Sequence, residues 1–377
     1  MKKLRKLAAI LVTLVFLLSF PAAASAQGTD KTKDLSIQEA LETANKASYD
    51  LKYNSLEVER AEKNRDDGAK AVTYIPTGGF VSTGYQSLYN SYQRADIAVT
   101  VAKKTEQLTK DQIYSDMVSA YASAIKARNT LESARISLDK AKQQRKISSL
   151  AASLGMVSDY DMKSYDDAIS KLETAVKSYD SAYQSSVASL ADLLGISDTN
   201  WKPNLTSTPI LNNYKRDELG IELSRGSDKS ATVWTKKALR DIELSKQSWS
   251  LEGVTDVTKD INMKEAEYNY QQSIIDVAAS IKSLYFALDA QEKIVTDKVQ
   301  ALTKAENDLK LAKIKYNVGI IPYCSTSTTE CLYNMEKAVD IAKLDLVSAR
   351  ADLAKQKANF ALLTGQNNDL YSASEWK

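Results

Sequence analysis

Side chains able to do acid–base, nucleophilic or metal chemistry are few and poorly placed for it in this 377-residue chain. Histidine, the commonest general base and metal ligand, is absent. Two cysteines, Cys324 and Cys331, cannot by themselves complete a structural zinc site. Carboxylates are abundant but sit in no catalytic motif; Asp159, Asp161, Asp166 and Asp167 read first as solvated acids at a helix start, where the helix dipole favours them. No catalytic residue, metal site or cofactor is therefore expected, and an enzyme is the least favoured class. Lys and Arg number 50 against 48 Asp and Glu, and no like-charged block follows the N-terminus. That balance argues against nucleic acid or a polybasic membrane-surface role.

With chemistry set aside, the informative residues are those that start and stop helices. Lys2, Lys3, Arg5 and Lys6 precede an apolar run from Leu7 to Phe20 and then Ala24-Ser25-Ala26. This is the pattern of a secretory signal peptide over residues 1–26, so the protein is expected to be exported. Only 12 Gly and 5 Pro occur in the whole chain, and none falls strictly between Gly84 and Gly155 or between Gly253 and Gly319. A helix filling most of either stretch would be on the order of 90 Å long. Shorter arms run from Gly155 to Gly195 and from Gly319 to Gly365, the second with Pro322 near its start. The order of long arm, glycine turn and shorter arm thus occurs twice. A further helical segment precedes each long arm. The first opens on the capping-box pattern Ser36-Ile37-Gln38-Glu39 and is expected to reach about Tyr74; the second is expected from about Ser227 to Ser248.

Apolar seams support the duplication. Ile274, Ile281, Leu288, Val295, Leu302, Leu309 and Tyr316 recur at every seventh position, the spacing that keeps one stripe facing a partner helix. Met117, Ala124, Leu131 and Leu138 fall in the same register of the first arm, with Lys110 and Arg145 interrupting it further out. In the returning arms Met162, Ile169, Val176, Tyr183 and Leu190 match Leu332, Val339, Leu346, Leu353 and Phe360. The expected fold is all-α, two copies of a long antiparallel helical hairpin with little or no β. Residues 27–195 form the first repeat, 196–216 a linker, 217–365 the second repeat and 366–377 a tail.

These features resemble the outer membrane efflux protein family, the TolC-like exit ducts of efflux pumps and type I secretion systems. The resemblance covers nearly the whole mature chain and rests on Leu35-Ser36-Ile37-Gln38-Glu39-Ala40-Leu41, Tyr285-Phe286-Ala287-Leu288-Asp289-Ala290-Gln291 and Lys315-Tyr316-Asn317-Val318-Gly319, together with the repeat endings Leu193-Leu194-Gly195 and Leu362-Leu363-Thr364-Gly365. It implies a homotrimer whose long helices form a hollow barrel in the cell envelope, working with an inner-membrane transporter and a membrane-fusion adaptor. It also makes Gly155 and Gly319, with Tyr316 beside the latter, the hairpin tips. Asp161, six positions after Gly155, becomes a candidate for a pore-narrowing carboxylate ring; the helix-start reading of the same residue stays open.

Two departures from the family pattern stand out. The second tip continues as Ile320-Ile321-Pro322-Tyr323-Cys324 and a Ser/Thr run, without an aspartate before Glu330 and Cys331. In an oxidising compartment Cys324 and Cys331 are expected to pair and close a small loop there. The resemblance also implies membrane-barrel strands between the helices, of about 9–11 residues each. The windows near residues 75–89 and 249–260 are too short for two such strands and a turn, so the barrel is expected to be missing or vestigial. An exported structural or adaptor protein without channel activity is the competing reading.

Overall fold

A computed structural model describes residues 34–74, 79–198, 201–205, 216–324 and 331–366; the expected signal peptide, most of the tail and part of the linker lie outside the described residues. Most helix starts are set by hydroxyl caps. Ser36 opens α1 (Ile37–Ala47) with the complete capping box, its Oγ accepting from the Glu39 amide while the Glu39 carboxylate accepts from the Ser36 backbone. Ser48 both ends α1 and caps α2 (Tyr49–Ala71), its Oγ accepting from the Leu51 amide. The same device recurs in the second repeat, where Ser230 joins α5 (Leu219–Lys229) to α6 (Ala231–Ser245). Each segment expected to be one helix is thus two, and the second begins at Leu219 rather than near Ser227. A serine in extended conformation can satisfy an amide of the next helix through its own hydroxyl, so the chain changes direction without Gly or Pro.

The long arms are α3 (Thr83–Ser153, 71 residues) and α7 (Asp256–Asn317, 62 residues). At 1.5 Å per residue, α3 extends roughly 100 Å. The returning arms are α4 (Asp159–Leu193) and α8 (Leu332–Thr364). In the half nearer the hairpin turns the helices pack in the order α4, α3, α8, α7; in the other half the order is α2, α3, α6, α7. The repeats are therefore alike in sequence but unlike in position. Helix α8 lies between α3 and α7 and buries Leu332, Val339, Leu346 and Phe360, whereas α4 has one neighbour and leaves Met162, Ile169 and Val176 only half-buried.

The main core lies where α1, α3 and α8 meet. Tyr114, Met117, Tyr121 and Ile125 of α3 pack on Ala351, Ala354, Ala358 and Ala361 of α8 and on Ile37, Ala40 and Leu41 of α1. Small residues on α8 let the two backbones approach, and polar bridges fix their register. Ser115 Oγ donates to Asn359 Oδ1 at 2.7 Å, Asn129 Nδ2 to Ser348 Oγ at 3.1 Å, and Lys126 pairs with Asp352 at 2.8 Å. Fully buried Asp111 of α3 accepts from Lys229 of α5 at 2.5 Å, tying the second repeat back to the first.

Strands are short. β1 (Asp34–Leu35) pairs in parallel with β3 (Asn204–Leu205), and β2 (Gly79–Val81) with β4 (Trp249–Leu251). The connections that would carry membrane strands are only residues 72–82 and 246–255, neither able to hold two strands of about 9–11 residues. Lys259 of α7, nearly buried, donates to the Trp249 carbonyl at 2.8 Å and so occupies a backbone acceptor of β4. Among the described residues no helix is long and apolar enough to cross a membrane.

Close approach of α5 to α7 requires Gly226. A Cβ there would come within 2.0 Å of Ile281 Cδ1, so the fully buried Ile281 side chain would have to repack. Gly226→Ala is expected to lower stability by about 1–3 kcal/mol through overpacking. Gly220→Ala on the same helix meets nothing within 4 Å and should be neutral or stabilising by up to about 1 kcal/mol. Urea denaturation followed by circular dichroism compares the two.

Candidate functional site at the hairpin tips

The first tip is a tight turn. Helix α3 ends on a Schellman motif: the Gly155 amide donates to the Ala152 carbonyl and the Met156 amide to the Ala151 carbonyl, both at 2.9 Å. This needs the left-handed backbone found at Gly155, φ 73°. Three residues on, Ser158 caps α4 and Asp161 completes a capping box; Ser158 Oγ lies 2.6 Å from Asp161 Oδ2, and the Asp161 amide donates to Ser158 Oγ at 3.1 Å. The Asp161 side chain is exposed. Behind the turn two ion pairs join α3 to α4, Arg145 to Asp166 at 2.5 Å and Lys142 to Glu173 at 2.8 Å. Hydrogen bonding from these cations holds the Asp166 and Glu173 carboxyls below their ordinary range.

The second tip begins identically and then diverges. The Gly319 amide donates to the Tyr316 carbonyl at 2.9 Å and the Ile320 amide to the Lys315 carbonyl at 2.8 Å, with Gly319 at φ 78°. Where the first turn needs only residues 154–158, this one runs from Val318 to Cys331. Its ends are fastened by the Leu332 amide donating to the Pro322 carbonyl and the Tyr333 amide to the Tyr323 carbonyl. Tyr316, Tyr323 and Tyr333 form a chain of edge-on rings with centroids 6.1 Å apart at each step.

Cys324 is half-buried and Cys331 buried, and the expected pairing between them closes a loop over residues 325–330, which lie outside the described residues.

The structure gathers Gly155 with Asp161 at one turn and Tyr316 with Gly319 at the other. A cleft of about 660 Å³ joins the second turn to the end of α3, lined by Lys146, Ile147 and Leu150 on one side and Tyr323, Cys324 and Tyr333 on the other. Leu154, Met156, Tyr160, Val318 and Ile320 stand exposed around the two turns. Sequence reasoning missed Tyr333, whose hydroxyl donates to the Asp139 carboxylate of α3 and so fastens α8 to the first repeat. The two partners are separated by just over half the chain, and neither lies in a motif.

Neither a family model nor a curated protein sequence matches the chain. Solved structures do. The outer membrane protein VceC from Vibrio cholerae superposes with a TM-score of 0.58 at 12% identity, over 88% of this chain and 95% of that one. A membrane protein from Pseudomonas aeruginosa gives 0.60 at 13%, over 92% and 99%. The Campylobacter jejuni CmeC outer membrane channel gives 0.57 at 12%, over 94% and 97%. The chain has the fold of these TolC-like outer membrane channels. The TolC-like fold accounts for the duplicated helical hairpins, and the described strands of this chain are short and parallel.

Burial and the neighbouring Asp139 carboxylate push the Tyr333 phenol well above its ordinary value. A proton held more tightly in the folded chain contributes stability that is complete below about pH 10 and is lost as pH rises toward the folded pKa. Tyr333→Phe should cost about 1.5–3 kcal/mol at pH 7 and flatten that alkaline loss relative to wild type. Thermal unfolding of both proteins between pH 7 and 11.5 checks this.

Proposed function

We propose that the chain is the protomer of an exit duct in the cell envelope, serving an efflux or type I secretion assembly as a homotrimer. The observation that carries the reading is the pair of unpartnered helix edges on a TolC-like fold. Helix α2 has no buried residue and presents Tyr49, Tyr53 and Leu56 to solvent. Helix α7, at the opposite edge of both rows, exposes Ile261, Tyr268, Ile275 and Phe286 along one stripe. Cross-contacts along the rows set the α2 cluster near the level of Ile275 and Phe286: Asn54 meets Thr109, the adjacent Asp111 meets Lys229, and Gly226 meets Ile281. Two apolar edges at one height suit a closed ring in which α2 and α4 of one copy lie on α7 of the next.

In such a ring the Gly155 and Gly319 turns form the closed end. Asp161 from three copies would narrow it and favour cations, and Tyr316 would line the adjacent wall. An inner-membrane transporter and its membrane-fusion adaptor are the partners this assembly would need, and nucleic acid has no part in it. Support for a non-enzymatic role comes from the solved neighbours, which are described as outer membrane channels. A second reading, an exported spacer or adaptor without a channel, is favoured by the two- and three-residue strands.

Light scattering coupled to size exclusion, on the mature protein without detergent, is expected to give the trimer mass. Ile275→Lys with Phe286→Lys places two charges on an exposed edge and should yield monomer with an unchanged circular dichroism spectrum. Wild-type protein that stays monomeric at high concentration would replace the duct with the spacer. For a trimer, Asp161→Asn should reduce cation preference in channel recordings while leaving the Ser158 cap in place, because an amide oxygen at position 161 can still accept from the Ser158 backbone.

A further inference from the structure

A second cleft lies away from the tips, between the C-terminal half of α4 and the segment that follows it. Its volume is about 820 Å³, within the range of small-molecule sites, roughly 300–1,000 Å³. The floor is apolar, made by buried Val187, Ala191 and Pro203 with half-buried Ile196. Two aromatic side chains, Tyr183 and Trp201, contribute half-buried walls. Around them stand Asp34, Asp180, Asp192 and Asp198 against a single lining cation, Lys202.

We propose that this cleft binds a hydrophobic organic cation, its apolar body on the Val187, Ala191 and Pro203 floor and its charge among the aromatic walls and carboxylates. The charge balance of the lining excludes an anion as the natural occupant. A bare metal ion is a poor fit because the carboxylates are dispersed round an apolar floor; among the described residues no three potential ligands converge on one point. Aromatic faces supply what a quaternary or tertiary ammonium needs and a hydrated inorganic ion does not, attraction to the ring quadrupole without hydrogen bonds. Two of the carboxylates are already oriented: Asp34 Oδ1 accepts from Asn204 Nδ2 at 2.8 Å, and Asp180 Oδ2 from Gln184 Nε2 at 2.8 Å. Asp180 also has Arg135 at 3.7 Å, which reduces its own share of the attraction. Burial raises the Tyr183 phenol above its ordinary value and keeps that wall neutral. The cleft is lined within one chain, and because the duct reading lays α4 on the next copy, the test is made on the protein in its solution oligomeric state.

The test is calorimetric titration of the purified mature protein, in its solution oligomeric state and at low salt, with phenyltrimethylammonium and with its neutral isostere tert-butylbenzene. Saturable binding of the ammonium is expected at one site per chain, at least about tenfold tighter than the isostere. Asp192→Asn with Asp198→Asn, both exposed positions, should weaken it about fivefold or more, and Trp201→Leu about tenfold. Because Trp201 also packs on the core, its variant counts only with an unchanged circular dichroism spectrum; the aspartate pair carries the test by itself. Equal affinity for the isostere, an affinity indifferent to the aspartate changes, or no saturable binding would each overturn the proposal. So would binding confined to a dissociated monomer, which would assign the cleft to a contact between copies.

Discussion

Every other feature depends on the close contact between α3 and α8. These helices come from different repeats, and their contact turns two hairpins into one continuous row. Ala351, Ala354, Ala358 and Ala361 permit the approach, and Tyr114, Met117, Tyr121 and Ile125 fill what remains. Larger residues on α8 would separate the repeats, unseat α1 and leave Tyr121 without the Leu35 carbonyl to which its hydroxyl donates at 2.7 Å. The contact is mostly dispersion and apolar burial, with hydrogen bonds such as Ser115 to Asn359 fixing the register more than the strength.

Because the row is open, the same physics that builds the core exposes its ends. An amphipathic helix buries one stripe against one neighbour, and a helix with two neighbours needs two stripes. Helix α8 has both stripes covered; α7 has one covered by α8 and the other bare. The surface ion pairs between α3 and α4 are exposed and weak, so they orient the first hairpin without compensating for the missing neighbour.

Much of this was legible in the sequence. The absence of Gly and Pro across residues 85–154 and 254–318 foretold α3 and α7 because only an uninterrupted helix uses such a stretch economically, and the seven-residue seams foretold their partners. The helix breaks at Ser48 and Ser230 were not legible, since a serine inside a polar helix carries the same letter whether it caps or merely faces water. The seams also could not tell an inner helix from an edge helix, because Val176 and Val339 pack against whatever the tertiary order supplies. At the tips, Gly155, Gly319 and the Ser158–Asp161 box were readable from local rules. The Tyr333 bond to Asp139 arises from a contact distant in sequence, with no local code.

The unequal turns bear on how many ways a partner could dock. Two identical tips would make the end of the protomer a pair of interchangeable sockets, and a ring of three copies would then look sixfold from below. With five residues in one turn and fourteen in the other, 154–158 against 318–331, that degeneracy is broken. A complementary ring rotated by one sixth of a revolution would meet a long loop where it had met a short one. In a ring of three that difference would act as an angular index, and a partner reading it would seat in three orientations but not in six.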